Sequence, residues 1–384
     1  MSLLIERRTV PDPILVGTVL ALIGLGAVMV GSSSVYLADE NFGEPFHYLV
    51  QHIVALGIGL LGMLIAMQTP IEWWNRIASL LLVVALGLLV IVFLPGVGYA
   101  ANGASRWIDL GPVSLQASEL ARLLLLIYMA SYAVRQHAAL SSSFSGFARP
   151  LLVIGLASLL LLAEPDYGAT VVLTATSIGI LFLAGARLRD VATTGLAAAI
   201  ALGLLARLSP YRWERILSFM EPWQDRLGSG YQLVNSFIAI GSGTWFGAGL
   251  GEGVQKMNYL PEPHTDFIFA VLAEELGFIG ATLVVVLFAS LVYRSFSIGS
   301  RALNAGLPFH GLLAMGIALT LGLQAAISIG VNTGLLPTKG LTLPLISYGR
   351  TSVVVTLFAL GLLFRISREV TDVALPAQAA RRGR

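Results

Sequence analysis

The sequence has 384 residues, of which 56% are hydrophobic and only 11% are charged, and its formal net charge is +2. Soluble domains carry about 25% charged residues, so this chain lacks the polar surface of a water-soluble protein and much of it must face lipid. The absence of cysteine excludes disulfide bonds, thiolate nucleophiles and cysteine-bound metals.

Long apolar segments recur along the whole chain. A helix needs about 20 apolar residues to cross the hydrocarbon core of a bilayer. We therefore predict an all-α polytopic membrane protein with about ten transmembrane helices, in a single integral membrane domain over residues 1–384. The predicted spans are Pro13–Tyr36, Phe46–Met67, Asn75–Leu94, Ser118–Arg135, Pro150–Ala163, Ala169–Ala186, Val191–Leu208, Phe267–Tyr293, Leu307–Gly330 and Thr351–Arg365.

The first apolar run follows Arg7 and Arg8, as the core of a signal peptide would. No small-residue cleavage site follows it, so we interpret it as a retained first helix. An even number of spans places both termini on one side, and that side carries more Lys and Arg than the other. The positive-inside rule therefore predicts cytoplasmic tails at 1–12 and 366–384.

The extracytoplasmic loops carry the unusual residues, and the largest loop covers 209–265, between spans seven and eight. It opens with the run YRWER, where Arg212 and Arg215 alternate with aromatic side chains, as in helices that lie in the lipid headgroup layer. Its glycine-rich stretch GSGTWFGAGLGEG fits either backbone turns that hold an anion or a closely packed re-entrant turn. The sequence shows no metal-ligand spacing.

Asp266 stands at the exit of this loop, after Pro261 and Pro263, where an apolar span begins. Thr265 would be the N-cap, which places Asp266 in the first helical turn. Capping and the helix macrodipole explain such a residue as readily as catalysis does. A carboxylate here could also act as a general base that takes the proton of a hydroxyl nucleophile during its attack.

An anionic leaving group or headgroup needs positive charge placed close to it. The candidates outside the spans are Arg106, Arg212, Arg215, Lys256 and Lys339. Glu119 and Arg122 lie three residues apart in span four, as a structural ion pair or as functional groups at membrane depth. Glu274 and Glu275, inside span eight, present the same two alternatives.

Four of these stretches together resemble the SEDS family (shape, elongation, division and sporulation), over nearly the whole chain. The motifs are NGASRWIDLG with SELARL, EPDYGAT, YLPEPHTDFIFAVLAEELGF and NTGLLPTKGLTLPLISYG. The PTKG segment followed by LTLPLISYG is more similar to the division branch than to the elongation branch. The resemblance implies an inverting peptidoglycan glycosyltransferase that joins lipid II units and releases undecaprenyl pyrophosphate.

The resemblance also assigns residues. The essential aspartate of the family corresponds to Asp266 in HTDF, as the catalytic residue, and its PTKG lysine corresponds to Lys339. The substrate-binding residues expected from the matched motifs and the charged positions are Arg106, Lys339, Glu119, Arg122, Glu164 and His264. The implied partners are a class B penicillin-binding protein of the FtsI type and the FtsQ–FtsL–FtsB complex, at the septum of the inner membrane. A divalent cation, Mg or Mn, is a further expectation.

The chain departs from the family pattern at two places. The segment usually read as SYGGSS is SYGRTS here, so Arg350 could contact phosphate or anchor a helix end. The GSGGLFG type of segment is GSGTWFG, with Thr244 and Trp245. Three alternative functions are an elongation polymerase, a lipid II flippase and a scaffold that recruits a penicillin-binding protein. The concentration of unusual residues on one side of the membrane favours surface chemistry over transport.

Overall fold

The computed structural model describes residues 12–101, 104–109 and 114–382, with side chains left undescribed at 99–105, 210–212 and 374–382. The predicted tail 1–12 therefore lies outside the described residues, apart from Asp12. The helices are α1 Pro13–Phe42, α2 His47–Gln68, α3 Ile71–Arg76, α4 Ala78–Ile91, α5 Ala117–Arg135, α6 His137–Ser142, α7 Phe144–Ala163, α8 Tyr167–Leu183, α9 Leu188–Arg207, α10 Pro210–Met220, α11 Tyr231–Ser242, α12 Ile268–Asn304, α13 Pro308–Asn332 and α14 Arg350–Arg382. The strands are β1 Gly98–Ala101, β2 Ala104–Asp109 and β3 Ser114–Gln116.

The polytopic helical architecture is confirmed. Within the described part of the chain, seven helices are long and apolar enough to cross a membrane: α1, α2, α5, α7, α9, α12 and α13. Two shorter apolar helices, α4 and α8, and the first half of α14 occupy the remaining predicted spans. Glu164, Pro165 and Asp166 form the turn between α7 and α8.

The helices differ in how deeply they are buried, and this difference locates the core. In the most apolar stretch of α5, 83% of the residues are buried inside the protein, against 6% in α9. Helix α5 is therefore central and α9 peripheral. Helices α2 and α14 approach each other closely at Gly361, where a β-carbon would lie only 2.5 Å from the carbonyl oxygen of Met63.

A small antiparallel sheet, in the order β1-β2-β3, lies between α4 and α5 and was not predicted. It is joined to the start of α14, since the amide of Gln116 donates to the hydroxyl of Thr351 at 3.0 Å. Arg350 donates to the hydroxyl of Ser114 on β3 at 2.7 Å. In this structure the arginine of SYGRTS thus anchors a helix end, one of the two alternatives left open by the sequence.

Helix α12 is interrupted at Gly277, whose φ of 68° and ψ of −168° are not helical. Residues 244–249 of the large loop insert at this break and pair with the backbone groups that the helix leaves unbonded. The four bonds run from Ala248 N to Glu274 O (2.9 Å), Gly249 N to Glu275 O (3.1 Å), Phe278 N to Thr244 O (2.9 Å) and Ile279 N to Trp245 O (3.2 Å). The glycine-rich stretch is therefore a closely packed re-entrant turn.

Candidate active site

The backbone around Asp266 is fixed by two neighbouring elements. The side-chain amide of Asn332, the last residue of α13, donates to the carbonyl oxygen of Asp266 at 2.9 Å, and its oxygen accepts from Ala270 N at 3.0 Å. The loop before α14 supplies the second support, because Ser347 Oγ donates to Thr265 O at 2.6 Å. The segment that carries Asp266 is thus hydrogen-bonded both to the end of α13 and to the loop before α14.

Thr265 is not the N-cap of α12, and that prediction was wrong. The helix begins at Ile268, and its N-cap position is Phe267, which makes no side-chain capping bond. The Thr265 hydroxyl bonds instead to the Glu262 carboxylate at 2.9 Å. Asp266 consequently precedes the helix, and its carboxylate is not used as a cap in this structure.

The Asp266 carboxylate lies against the segment that carries Lys339. A β-carbon placed on Gly340 would be 2.9 Å from Asp266 Oδ2. Burial raises the pKa of Asp266 to about 7, a rise that Glu262 and Asp166 increase and that Arg106 and Arg215 oppose. A carboxylate with this pKa is matched to general base catalysis near neutral pH.

Arg106 is held in place by the turn between α7 and α8. Its Nε donates to the carbonyl oxygen of Glu164 at 3.1 Å and its Nη2 to that of Pro165 at 2.5 Å. Asp166 in the same turn caps α8 through Ala169 N at 3.0 Å and accepts from the hydroxyl of Ser118 at 3.0 Å. The motifs around Arg106 and EPDYGAT are therefore joined beside Asp266.

Glu164 is completely buried, and neither of its carboxyl oxygens has a hydrogen-bond partner among the described residues. Burial raises the pKa of Glu164 to about 8, with Asp166 adding to the rise and Arg106 opposing it. We therefore expect its carboxyl group to be mostly protonated at neutral pH. Its predicted contact with substrate stays a prediction.

Lys339 is half-buried, whereas His264 is buried. Burial lowers the pKa of the Lys339 ammonium below its usual range. His264 packs between the rings of Tyr48, at 4.6 Å, and Tyr348, at 5.4 Å between centroids. These contacts hold His264 in an aromatic cluster, and its predicted contact with substrate is likewise untested.

Glu119 and Arg122 form the ion pair predicted from their spacing, and both are buried in α5. They line a cavity of about 30 Å³, which has room for about one or two water molecules. Gln324 on its far wall donates to the carbonyl oxygen of Thr342 at 3.1 Å. The cavity thus borders the segment that follows Lys339 and Gly340.

The remaining predicted cations divide into three cases. Arg215 on α10 interacts electrostatically with Asp266. Lys256 is paired with Glu275 at 2.6 Å. The side chain of Arg212 lies outside the described residues. Sequence reasoning missed Asn332 and Ser347, although both are polar residues at the ends of apolar motifs, which is the signal that could have found them.

The fold and the site define a polytopic membrane protein in which a carboxyl group of raised pKa, Asp266, lies near Arg106 and the segment that carries Lys339. A family model described as "Cell cycle protein", for FtsW, RodA and SpoVE, matches residues 13–372. The chain belongs to this family, the SEDS proteins.

The relatives include a "Probable peptidoglycan glycosyltransferase FtsW" from Alkalilimnicola ehrlichii, 51% identical over 352 residues that cover 92% of this chain and 88% of the relative. A solved chain from a peptidoglycan synthase complex is 31% identical, with a TM-score of 0.78, and the match covers 94% of this chain and 99% of that one. The rod shape determining protein RodA of Thermus thermophilus is 30% identical, with a TM-score of 0.70 and coverage of 94% and 98%. Within the family the chain is thus similar to FtsW.

Proposed function

We propose that this chain is a peptidoglycan glycosyltransferase of the FtsW type, which polymerises lipid II into glycan strands during septal wall synthesis. One observation carries the proposal: Asp266, with a pKa of about 7, lies against Gly340 beside the cationic Lys339 and Arg106. A relative named for this activity is 51% identical over 92% of the chain.

The reaction uses Asp266 as the base. Its carboxylate takes the proton of the 4-hydroxyl of the acceptor sugar while that oxygen attacks the anomeric carbon of the donor. The bond from this carbon to the pyrophosphate oxygen breaks, and undecaprenyl pyrophosphate leaves with the electron pair. Attack from the face opposite the α-linked leaving group gives a β-1,4 linkage. General base catalysis of this kind contributes about 10²- to 10⁴-fold.

The departing pyrophosphate needs positive charge that is already in place. Arg106 is oriented by its two bonds to the carbonyl groups of Glu164 and Pro165, so its guanidinium does not have to be ordered by the substrate. Lys339 is half-buried, so its interaction with an anion is less screened by water than that of a fully exposed lysine. We assign both residues to the donor pyrophosphate.

A divalent cation is a further expectation from the resemblance; in the described part of the chain, no group of three or more His, Cys, Asp or Glu side chains is placed to hold a metal ion. The steps above therefore use only the residues of this chain. Magnesium is often held by one or two carboxylates together with substrate phosphates. Such a site would form only when the substrate binds.

We further propose an inner-membrane location with both termini cytoplasmic, which places Asp266 at the outer leaflet. The distribution of Lys and Arg supports this orientation. A class B penicillin-binding protein is the proposed partner, since the similar solved chain belongs to a complex of polymerisation and crosslinking. The FtsQ–FtsL–FtsB complex at the septum is proposed from the resemblance alone.

The test is polymerisation of purified lipid II by the chain together with an FtsI-type partner. We expect glycan strands and released undecaprenyl pyrophosphate with the parent and neither product with Asp266→Asn. Asp225→Asn is the matched control, because Asp225 is an exposed aspartate of the same large loop. Full polymerisation by Asp266→Asn would contradict the proposal. So would a parent protein that moves lipid II across the membrane of liposomes but forms no glycan strands.

A further inference from the structure

A buried lysine of the large loop, Lys256, is paired with Glu275 of α12, two residues before the break at Gly277. Lys256 is 6% exposed, and its ammonium group contacts the Glu275 carboxylate at 2.6 Å, Gly251 O at 2.7 Å and Ser32 Oγ at 3.0 Å. These contacts use all three donors of the ammonium. A buried charge that is fully paired in this way is strongly destabilised when its partner is removed.

Glu275 is equally committed to this cluster. Besides Lys256, it accepts from Ser32 Oγ at 2.7 Å and from the backbone amide of Gly251 at 3.1 Å. The preceding residue, Glu274, accepts from Val254 N at 2.9 Å. The two carboxylates therefore attach residues 251–256 of the large loop to one end of the broken helix.

The part of α12 before the break, residues 268–276, is a half-helix with Asp266 directly before it and Glu275 at its end. Lys256 precedes Asp266 in the chain by ten positions and Glu275 follows it by nine. The ion pair thus closes residues 256–275 into a ring with Asp266 near its middle. The ammonium also lies at the carboxyl end of the half-helix, where a cation is favoured by the helix dipole.

We propose that Lys256 and Glu275 are positioning residues for Asp266: their ion pair fixes the half-helix and the loop that approaches it, so that the carboxylate is held beside Gly340. The inference rests on the proposed function, because it assigns the ring a role in the same reaction. A displacement of a reacting group by about 1 Å can cost about 100-fold in rate.

Two variants distinguish a role of the ion pair in positioning Asp266 from a role in stabilising the fold. Lys256→Met removes the ammonium and leaves Glu275 buried without it, whereas Lys256→Met with Glu275→Gln removes both charges and spares the fold that penalty. For both we expect kcat on lipid II to fall about 10- to 100-fold, with KM changed less than about twofold, because Arg106 and Lys339 are untouched. Lys256→Arg, which keeps the ion pair, should recover most of kcat.

The pH–rate profile gives a second readout. If the ring opens, water reaches Asp266, its pKa falls, and the acid limb of the profile moves to lower pH. The charged groups that face this carboxylate are Glu262, Asp166, Arg106 and Arg215, and no variant changes any of them.

The matched control is Arg294→Met, which breaks another ion pair of α12, with Asp12, in the part of the helix beyond the break. It should lower thermal stability without moving the pH–rate profile. An unchanged kcat and profile in the folded double variant would overturn the proposal, as would the same profile shift in Arg294→Met. Failure of the proposed function is seen separately, as a folded parent that makes no glycan strands with its partner.

Discussion

The carboxylate of Asp266 and the α-carbon of Gly340 are so close that a β-carbon at position 340 would lie 2.9 Å from Asp266 Oδ2. Real β-carbon contacts are essentially never that short, so glycine at 340 is required for the carboxylate to keep its position. The PTKG motif thus places Gly340, the residue after Lys339, directly against the Asp266 carboxylate.

Gly340→Ala should displace the base without altering its charge. The added methyl group pushes the Asp266 carboxylate away from its position, and we expect kcat on lipid II to fall about 10- to 100-fold with a small change in KM. The measurement is a steady-state polymerisation assay with the partner present. Gly241→Ala is the control, because a β-carbon there meets open space, and equal losses in both variants would contradict the prediction.

Polymerisation should depend on one ionisation near neutrality. Asp266 must be deprotonated to act as a base, and burial raises its pKa from 3.8 to about 7. The rate should therefore rise with pH and reach half of its maximum near pH 7. Asp266→Glu, assayed in parallel, should shift this limb. A rate that is flat between pH 5 and pH 8 would remove Asp266 from the role of base.

Glu164→Gln should stabilise the protein at alkaline pH. Burial raises the pKa of Glu164 from 4.5 to about 8, so the folded state binds the proton more tightly than the unfolded state. The free energy of unfolding contributed by this group is therefore highest below pH 4.5 and declines until about pH 8. Glutamine cannot ionise. Between pH 5 and pH 9, the free energy of unfolding of the variant should therefore rise by about 1–3 kcal/mol relative to that of the parent.

The check is thermal unfolding in detergent at pH 5, 7 and 9. Asp225→Asn provides a control of opposite sign, since hydrogen bonds from the backbone and hydroxyl of Ser229 lower the pKa of Asp225. That carboxylate stabilises the fold above its unfolded pKa, so its loss should cost stability at high pH and little at low pH. A Glu164→Gln variant with the same pH dependence as the parent would refute a buried neutral carboxyl.

The membrane-crossing helices were predictable because lipid imposes one requirement on every span, a run of about 20 apolar residues. The break at Gly277 was not predictable, since the apolar run continues through it and the groups that satisfy its backbone come from residues 244–249. The small sheet was missed for a related reason. Its strands are three to six residues long and lie in a glycine-rich loop, where periodicity carries little signal.

At the site, motif resemblance is the basis for predicting Asp266 and Lys339, and helical spacing correctly predicted the ion pair of Glu119 and Arg122. Spacing could not reveal that Asn332 supports the backbone of Asp266, because the two residues are far apart in sequence. The N-cap expected at Thr265 failed for a local reason, the competing carboxylate of Glu262 three residues earlier. Tertiary contacts of this kind are not encoded in local pattern.

Thr244→Gly should stabilise the re-entrant turn. Thr244 has a φ of 47°, in the left-handed region that a β-branched side chain rarely adopts, and its carbonyl oxygen accepts the bond from Phe278 N at the helix break. Glycine removes the steric cost and keeps that backbone bond, so we expect a gain of about 1 kcal/mol in the free energy of unfolding. Thr193→Gly, within helix α9, is the matched control and should lose stability, because glycine is a poor helix former. A loss in both variants, measured by thermal unfolding, would show that the Thr244 side chain contributes more than its backbone strain costs.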